Sequence, residues 1–130
     1  MSNKKIVIIN GPNLNLLGER EPEVYGTETL IDLEKMVNDH IKVSNLKIDV
    51  VFFQSNSEGE LVNSIQNAGK TLNGIIINAG GLSHTSVSIL DALLAIKIPK
   101  IEVHISNLFT REEFRHSSYI SKGVNGIVCG

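Results

Sequence analysis

The hexapeptide K5-I-V-I-I-N10 has no polar face. Strand side chains alternate sides, so a strand with one wet face shows a polar residue at every second position. A β-branched run without that alternation suits a strand covered on both sides, as in a parallel sheet. G74-I-I-I-N78 repeats the pattern, and I48-D-V-V-F-F-Q54, I101-E-V-H-I-S106 and G126-I-V-C-G130 are three more candidate strands. Helical periodicities lie between them. Leu30, Leu33, Val37 and Ile41 share one helical face behind Thr29-x-x-Asp32, which has the form of a capping box. Ser57-x-x-Glu60 has the same form ahead of Leu61, Ile65, Ala68 and Leu72. Val87, Leu90 and Leu94 mark a third helix that Pro99 helps to end, and Arg111 to His116 a short fourth.

Alternating strands and helices predict an α/β fold with helices on both faces of a parallel sheet. Five strands favour a flavodoxin-like three-layer sandwich of strand order 2-1-3-4-5 over a six-stranded dinucleotide-binding domain. No repeat or interdomain linker interrupts the chain, so residues 1–130 are expected to form one domain. A net charge of −2 gives no reason to expect nucleic acid or an anionic membrane as a partner. No apolar run reaches a membrane-spanning length, and Met1–Lys5 leads into the first strand without a signal-like segment. The single cysteine, Cys129, has no internal disulfide partner. A cytoplasmic protein is the expectation.

In such sheets ligands bind beyond the carboxyl ends of the strands. N10-G-P-N-L-N-L-L-G18 follows strand 1, N78-A-G-G-L-S-H-T85 follows strand 3, and His104, Ser106 and Asn107 close strand 4. Polar, glycine-rich chemistry therefore gathers at one rim. The first of these loops lacks both the GxxxxGK[ST] lysine and the GxGxxG spacing, so Asn13 and Asn15 suit a polar organic ligand better than a phosphate.

Glu102 and His104 fall on one strand face, roughly 7 Å apart. A buried carboxylate needs a partner, and this one can aim the imidazole and favour its charged form. A purely structural pair bridging to a helix is the plain alternative. His84 and Asp91 are spaced to share a helical face roughly 10 Å apart, although the serines and threonine beside His84 could simply cap that helix. No second histidine or cysteine stands at ligand spacing, which speaks against a metal.

The chain has nine lysines but three arginines, Arg20, Arg111 and Arg115. A guanidinium is a fixed fork of donors for oxyanions, although each could equally serve surface solubility. Arg20 and Tyr25 sit in the long connection before the first helix, and structureless loops of that length are usually functional lids. An ordinary phenol, with a pKa of about 10, is a poor base at pH 7, and bringing it to about 7.5 takes roughly 3.4 kcal/mol. One or two nearby cations supply that much. Arg111 and Arg115, at i and i+4, are expected on one helical face, with salt bridging to Glu112 and Glu113 as the ordinary alternative.

Taken together, NGPNLNLLGERE-x-x-x-YG, QSNSEGELV, INAGGLSHTSVSILDAL, IEVHISN and REEFRHSSYIS resemble the type II 3-dehydroquinate dehydratase family through nearly the whole chain. The resemblance implies a flavodoxin-like lyase of the shikimate pathway, in aromatic amino-acid biosynthesis. Such enzymes assemble as homododecamers built from trimers, and remove water in the anti sense from 3-dehydroquinate through an enolate. By that similarity Tyr25, as phenolate, takes the C2 proton, with Arg20 and Arg111 stabilising negative charge. Asn13, with a bound water, holds the enolate oxygen, and His104, oriented by Glu102, protonates the leaving C1 hydroxyl. Asn78, His84, Arg115 and the main-chain N–H groups of Ile105 and Ser106 match the substrate-binding set. Asp91 matches a residue supplied by a neighbouring subunit. No cofactor or metal is implied, because the ketone itself accepts the electron pair.

Two departures stand out. The family continues past Gly130 with a glycine-containing turn and a terminal helix, so a C-terminal segment is expected to be missing, or its place taken by another subunit. Uncovered, the last strands would show an apolar patch. Lys122-Gly123 also replaces a proline-led stretch. Three rival readings fit less well. A flavin carrier needs a hydroxyl-rich phosphate loop after strand 1, a receiver domain needs acidic residues there, and a lysine Schiff-base dehydratase needs a lysine at the ligand rim. Lys97 and Lys100 lie at the opposite end.

Overall fold

The β-branched runs become the strands they predict. In the computed structural model, which describes residues 3–130, β1 (Lys4–Asn10), β2 (Ile48–Gln54), β3 (Gly74–Asn78), β4 (Lys100–His104) and β5 (Gly126–Cys129) form one sheet of order β2-β1-β3-β4-β5. All four pairings are parallel. This is the expected flavodoxin-like α/β fold. Met1 and Ser2, part of the stretch read as free of a signal-like segment, lie outside the described residues. Among the described residues no helix is long and apolar enough to cross a membrane.

Helix α2 (Leu30–Val43) begins at the capping box read from Thr29 and Asp32, both of whose hydrogen bonds are present. Helix α3 (Glu58–Thr71) begins with half of one. Ser57 accepts the Glu60 N–H, but the Glu60 carboxylate takes the Ser55 hydroxyl rather than closing the box. Leu61, Ile65 and Ala68 turn inward as their spacing requires, meeting Val7, Ile9, Ile75 and Ile77 of the sheet. Right-handed crossovers put α2 on the opposite face, because the chain changes direction across the sheet at β1. There Ile101 and Val128 are 36% and 60% exposed.

Four local readings need correction. Helix α4 (Val87–Leu94) buries Ile89, Ala92 and Leu93, whereas Val87 and Leu94 point outward. A helix with apolar residues on two sides offers two candidate faces, and periodicity alone selected the wrong one. Its last residue precedes Pro99 by a further turn, so the proline does not end it. The connection after β1 is not structureless, since it holds a 3₁₀ turn at Leu14–Leu16 and a one-turn helix α1 (Pro22–Tyr25). The predicted fourth helix is a 3₁₀ turn over Glu113–His116, and Arg111 precedes it in extended backbone, so Arg111 and Arg115 share no helical face.

What the fold does for function is concentrated where β1 and β3 end. The Gly11 N–H donates to the Asn78 carbonyl at 2.7 Å. A Cβ on Gly11 would lie 2.4 Å from the Ala79 carbonyl oxygen, which is backbone and cannot give way. Glycine alone lets the two loops leave the sheet this close together.

Candidate active site

The loops beyond β1, β3 and β4 enclose a cleft at the carboxyl rim of the sheet. From the β1 loop come Asn13, Leu14, Leu17, Arg20 and Tyr25; from the β3 loop, Asn78 and His84; from the segment after β4, Ile105, Ser106, Arg111 and Arg115, beside His104 itself.

Asn13 faces the cleft from a left-handed turn with φ of 71°, a conformation asparagine tolerates better than most side chains. The β2 loop stabilises that turn. The Asn13 N–H donates to Asn56 Oδ1 at 2.9 Å, and Gln54 Nε2 donates to the Gly11 carbonyl and to Asn56 Oδ1, each at 3.2 Å. Neither Gln54 nor Asn56 was singled out from sequence. Asn78 is buried, and its Oδ1 accepts the Gly80 N–H at 3.2 Å, leaving its amide donors for the cleft.

Tyr25, half-buried at the end of α1, accepts a hydrogen bond from Arg111 Nη1 at 2.6 Å. The Arg20 and Arg111 guanidinium carbons lie 5.4 and 5.2 Å from the centre of its ring. Arg111 also reaches the Ser106 hydroxyl at 3.3 Å, tying the tyrosine to the β4 side of the cleft. The third arginine is divided between roles: Arg115 lines the cleft while its Nε donates to Glu112 at 2.6 Å, the salt bridge weighed against function from sequence.

Glu102 is fully buried behind His104 and hydrogen-bonded to its Nε2. That bond leaves Nδ1 as the ring atom free to exchange a proton. The strand spacing of the two residues is bridged because both side chains bend together on the face shared with the core. Burial by itself raises the Glu102 carboxyl; the donors from His104, Ser121 and Ser118 outweigh it and hold the group below its ordinary value of 4.5. In acid, the unfolded carboxyl therefore takes up its proton before the folded one. Stability contributed by Glu102 is complete above about pH 4.5 and is lost as pH falls through the folded-state value. Urea unfolding midpoints should fall more steeply below pH 4.5 in the parent protein than in Glu102→Gln. Parallel slopes would remove the carboxylate from this account.

His84 ends a 3₁₀ turn (Gly80–His84), and its Nδ1 lies 2.8 Å from the Ser117 carbonyl. A carbonyl only accepts, so Nδ1 carries the hydrogen and Nε2 is left to meet a ligand. The His84 and His104 rings stack at 6.2 Å. His84 and Asp91 do not share a helical face as expected, because the turn ends and α4 begins between them. Asp91 is exposed on α4 and does not line the cleft. Of the twelve site residues that the resemblance implies, ten line it, Glu102 stands directly behind it and Asp91 falls elsewhere; Asn15, offered with Asn13 for a polar ligand, is exposed and not among the lining residues.

The family model described as Dehydroquinase class II matches residues 4–130. The chain belongs to the class II dehydroquinase family. Among its relatives, the 3-dehydroquinate dehydratase of Prochlorococcus marinus (strain NATL1A) is 50% identical over 126 residues, 96% of this chain and 85% of the relative. That of Endomicrobium trichonymphae is 53% identical over 127 residues, covering 98% and 87%. The crystal structure of type II dehydroquinase from Butyrivibrio crossotus DSM 2876 superposes with a TM-score of 0.93 at 47% identity, covering 98% of this chain and 88% of that one.

Proposed function

We propose that this chain dehydrates 3-dehydroquinate to 3-dehydroshikimate by anti elimination through an enolate, a step of the shikimate pathway. A β-hydroxy ketone needs a base at the carbon beside the carbonyl, an acid at the leaving hydroxyl and donors at the oxygen that becomes charged. The observation that carries the reading is the Arg111–Tyr25 hydrogen bond in the same cleft as the Glu102–His104 pair. Tyr25, as phenolate, takes the C2 proton, and the C–H electron pair moves into the ketone to give the enolate. Asn13 donates to that oxygen. The enolate then reforms the carbonyl, the new C=C bond forms, and the C1–O bond breaks as His104 Nδ1 delivers its proton, so water leaves. Proton return from Tyr25 to His104 through solvent restores the starting state.

Asn78, His84, Arg115 and the N–H groups of Ile105 and Ser106 form the rest of the binding set in this reading. Asp91, on the outside of α4, completes a neighbouring subunit's site within a homododecamer, and the single domain works in the cytoplasm without a cofactor. The test is absorbance from the conjugated enone when purified protein meets 3-dehydroquinate; no absorbance change across neutral pH would end the proposal. Borohydride added with substrate should leave the protein mass unchanged, because Lys100 is buried at the far end of β4, with its Nζ donating to the Ile96 carbonyl. A trapped adduct would favour Schiff-base chemistry instead.

A further inference from the structure

The motif REEFRHSSYIS contributes Arg111 and Arg115 to the site, yet its serines have no part in the mechanism above. Two of them touch its machinery. Glu102 Oε2 takes the Ser118 hydroxyl at 2.8 Å as well as the His104 ring, and Oε1 takes the Ser121 hydroxyl at 2.5 Å. Both oxygens of a fully buried carboxylate are thus held by donors.

The local fold explains how two serines reach one carboxylate. Ser118 stands at the N-cap position of a 3₁₀ turn over Tyr119–Gly123 without capping it, and residues three apart in that geometry eclipse, so Ser118 and Ser121 present their hydroxyls on the same side, toward Glu102. Ile120 between them is completely buried in the core cluster. Gly123 sits where a Cβ would come within 3.1 Å of both Leu90 and Leu93, so the turn is packed directly on α4.

We infer that Ser118 and Ser121 are positioning residues for the proton donor, fixing Glu102 and, through it, the direction in which His104 presents Nδ1 to the leaving hydroxyl. This rests on the reading of His104 as the acid. A carboxylate held only by an imidazole keeps a soft terminal torsion, whereas one gripped at both oxygens does not. The same segment also fixes the second imidazole of the cleft, since the Ser117 carbonyl accepts the Nδ1–H of His84. One stretch of chain therefore orients both rings, and the turn's packing on α4 sets their positions.

Against the raising effect of burial, the His104 ring and then the two hydroxyls hold the Glu102 carboxyl below its ordinary value, so loss of the hydroxyls should appear in pH dependence. The other titratable groups around Glu102 are His104 and Lys100 on its own strand face, Cys129 paired with His104 on β5, and His84 stacked on His104. Asp91 on α4 and Lys122 in the serine turn face solvent. None of these groups except His104 hydrogen-bonds the carboxylate among the described residues.

The experiment compares the parent with Ser121→Ala, the double variant Ser118→Ala/Ser121→Ala, and Ser121→Thr. The alanine variants should lose at least about tenfold in kcat with KM changed less than about twofold, the size of one charge-assisted hydrogen bond lost in the transition state. The acidic limb of their kcat/KM profile should move toward neutral pH, and Ser121→Thr should recover most of the rate. Should the double variant fail to fold, folded Ser121→Ala carries the same test. An unaltered kcat and pH profile in folded Ser121→Ala would overturn the inference. Nitrogen NMR of the His104 ring without substrate gives a readout independent of turnover. A titration curve identical to the parent's overturns the positioning role even if the protein proves to have no dehydratase activity, and that inactivity would separately end the functional reading.

Discussion

Tyr25→Phe should lower kcat at least about a hundredfold, the scale of general acid–base catalysis, with KM for 3-dehydroquinate changed far less. The substitution removes one oxygen and leaves the ring. Arg20 and Arg111, at 5.4 and 5.2 Å from the ring centre, keep their stacking on an aromatic face, so the cleft retains its shape. What disappears is the acceptor of the 2.6 Å bond from Arg111. On the proposed mechanism that bond does the electrostatic work. Arg111→Ala should consequently reproduce much of the loss while leaving the tyrosine in place. A Tyr25→Phe variant within threefold of the parent would remove this residue as the base. A raised KM at unchanged kcat would make it a binding group instead.

Which parts of this arrangement could be read from the chain follows from how local the physics is. The strands were legible because Lys5–Asn10 and Gly74–Asn78 have no polar face, and their pairing order followed from the alternation with helices. The rim followed in turn, since strand ends locate a cleft before any side chain is placed. Helix α4 was less legible because V87-S-I-L-D-A-L-L94 has apolar residues on two faces, and only packing against the sheet selects Ile89 and Leu93. The α1 turn that carries Tyr25 was hidden for a different reason. It is four residues long, and its N-cap, Glu21, has φ of 42°, neither a capping signal nor a glycine. Ser118 and Ser121 left a faint trace in their spacing of three, which has meaning only once a 3₁₀ turn is known. The Asn56 contact with Asn13 left none, because residues 43 positions apart meet only through the sheet order.

His104→Ala should also lose at least about a hundredfold in kcat, but by a route that separates it from Tyr25→Phe. On the proposed mechanism, removing the imidazole leaves Tyr25 to take the C2 hydrogen and Asn13 to hold the ketone oxygen, so the enolate can form. The C1 hydroxyl then has no proton to leave with, and the enolate returns to substrate. Exchange of a C2 deuterium label into water should therefore outrun dehydration in His104→Ala, whereas Tyr25→Phe should lose both together. The alanine variant also strips a buried carboxylate of its ring partner, which costs about 3–5 kcal/mol when a buried pair is broken. Its lower melting temperature is expected for that reason, and His104→Gln, whose amide can still donate toward Glu102, should recover stability without recovering turnover. Exchange and dehydration falling by the same factor in His104→Ala would mean that the ring positions substrate for proton abstraction, and the assignment of the acid would pass to another group.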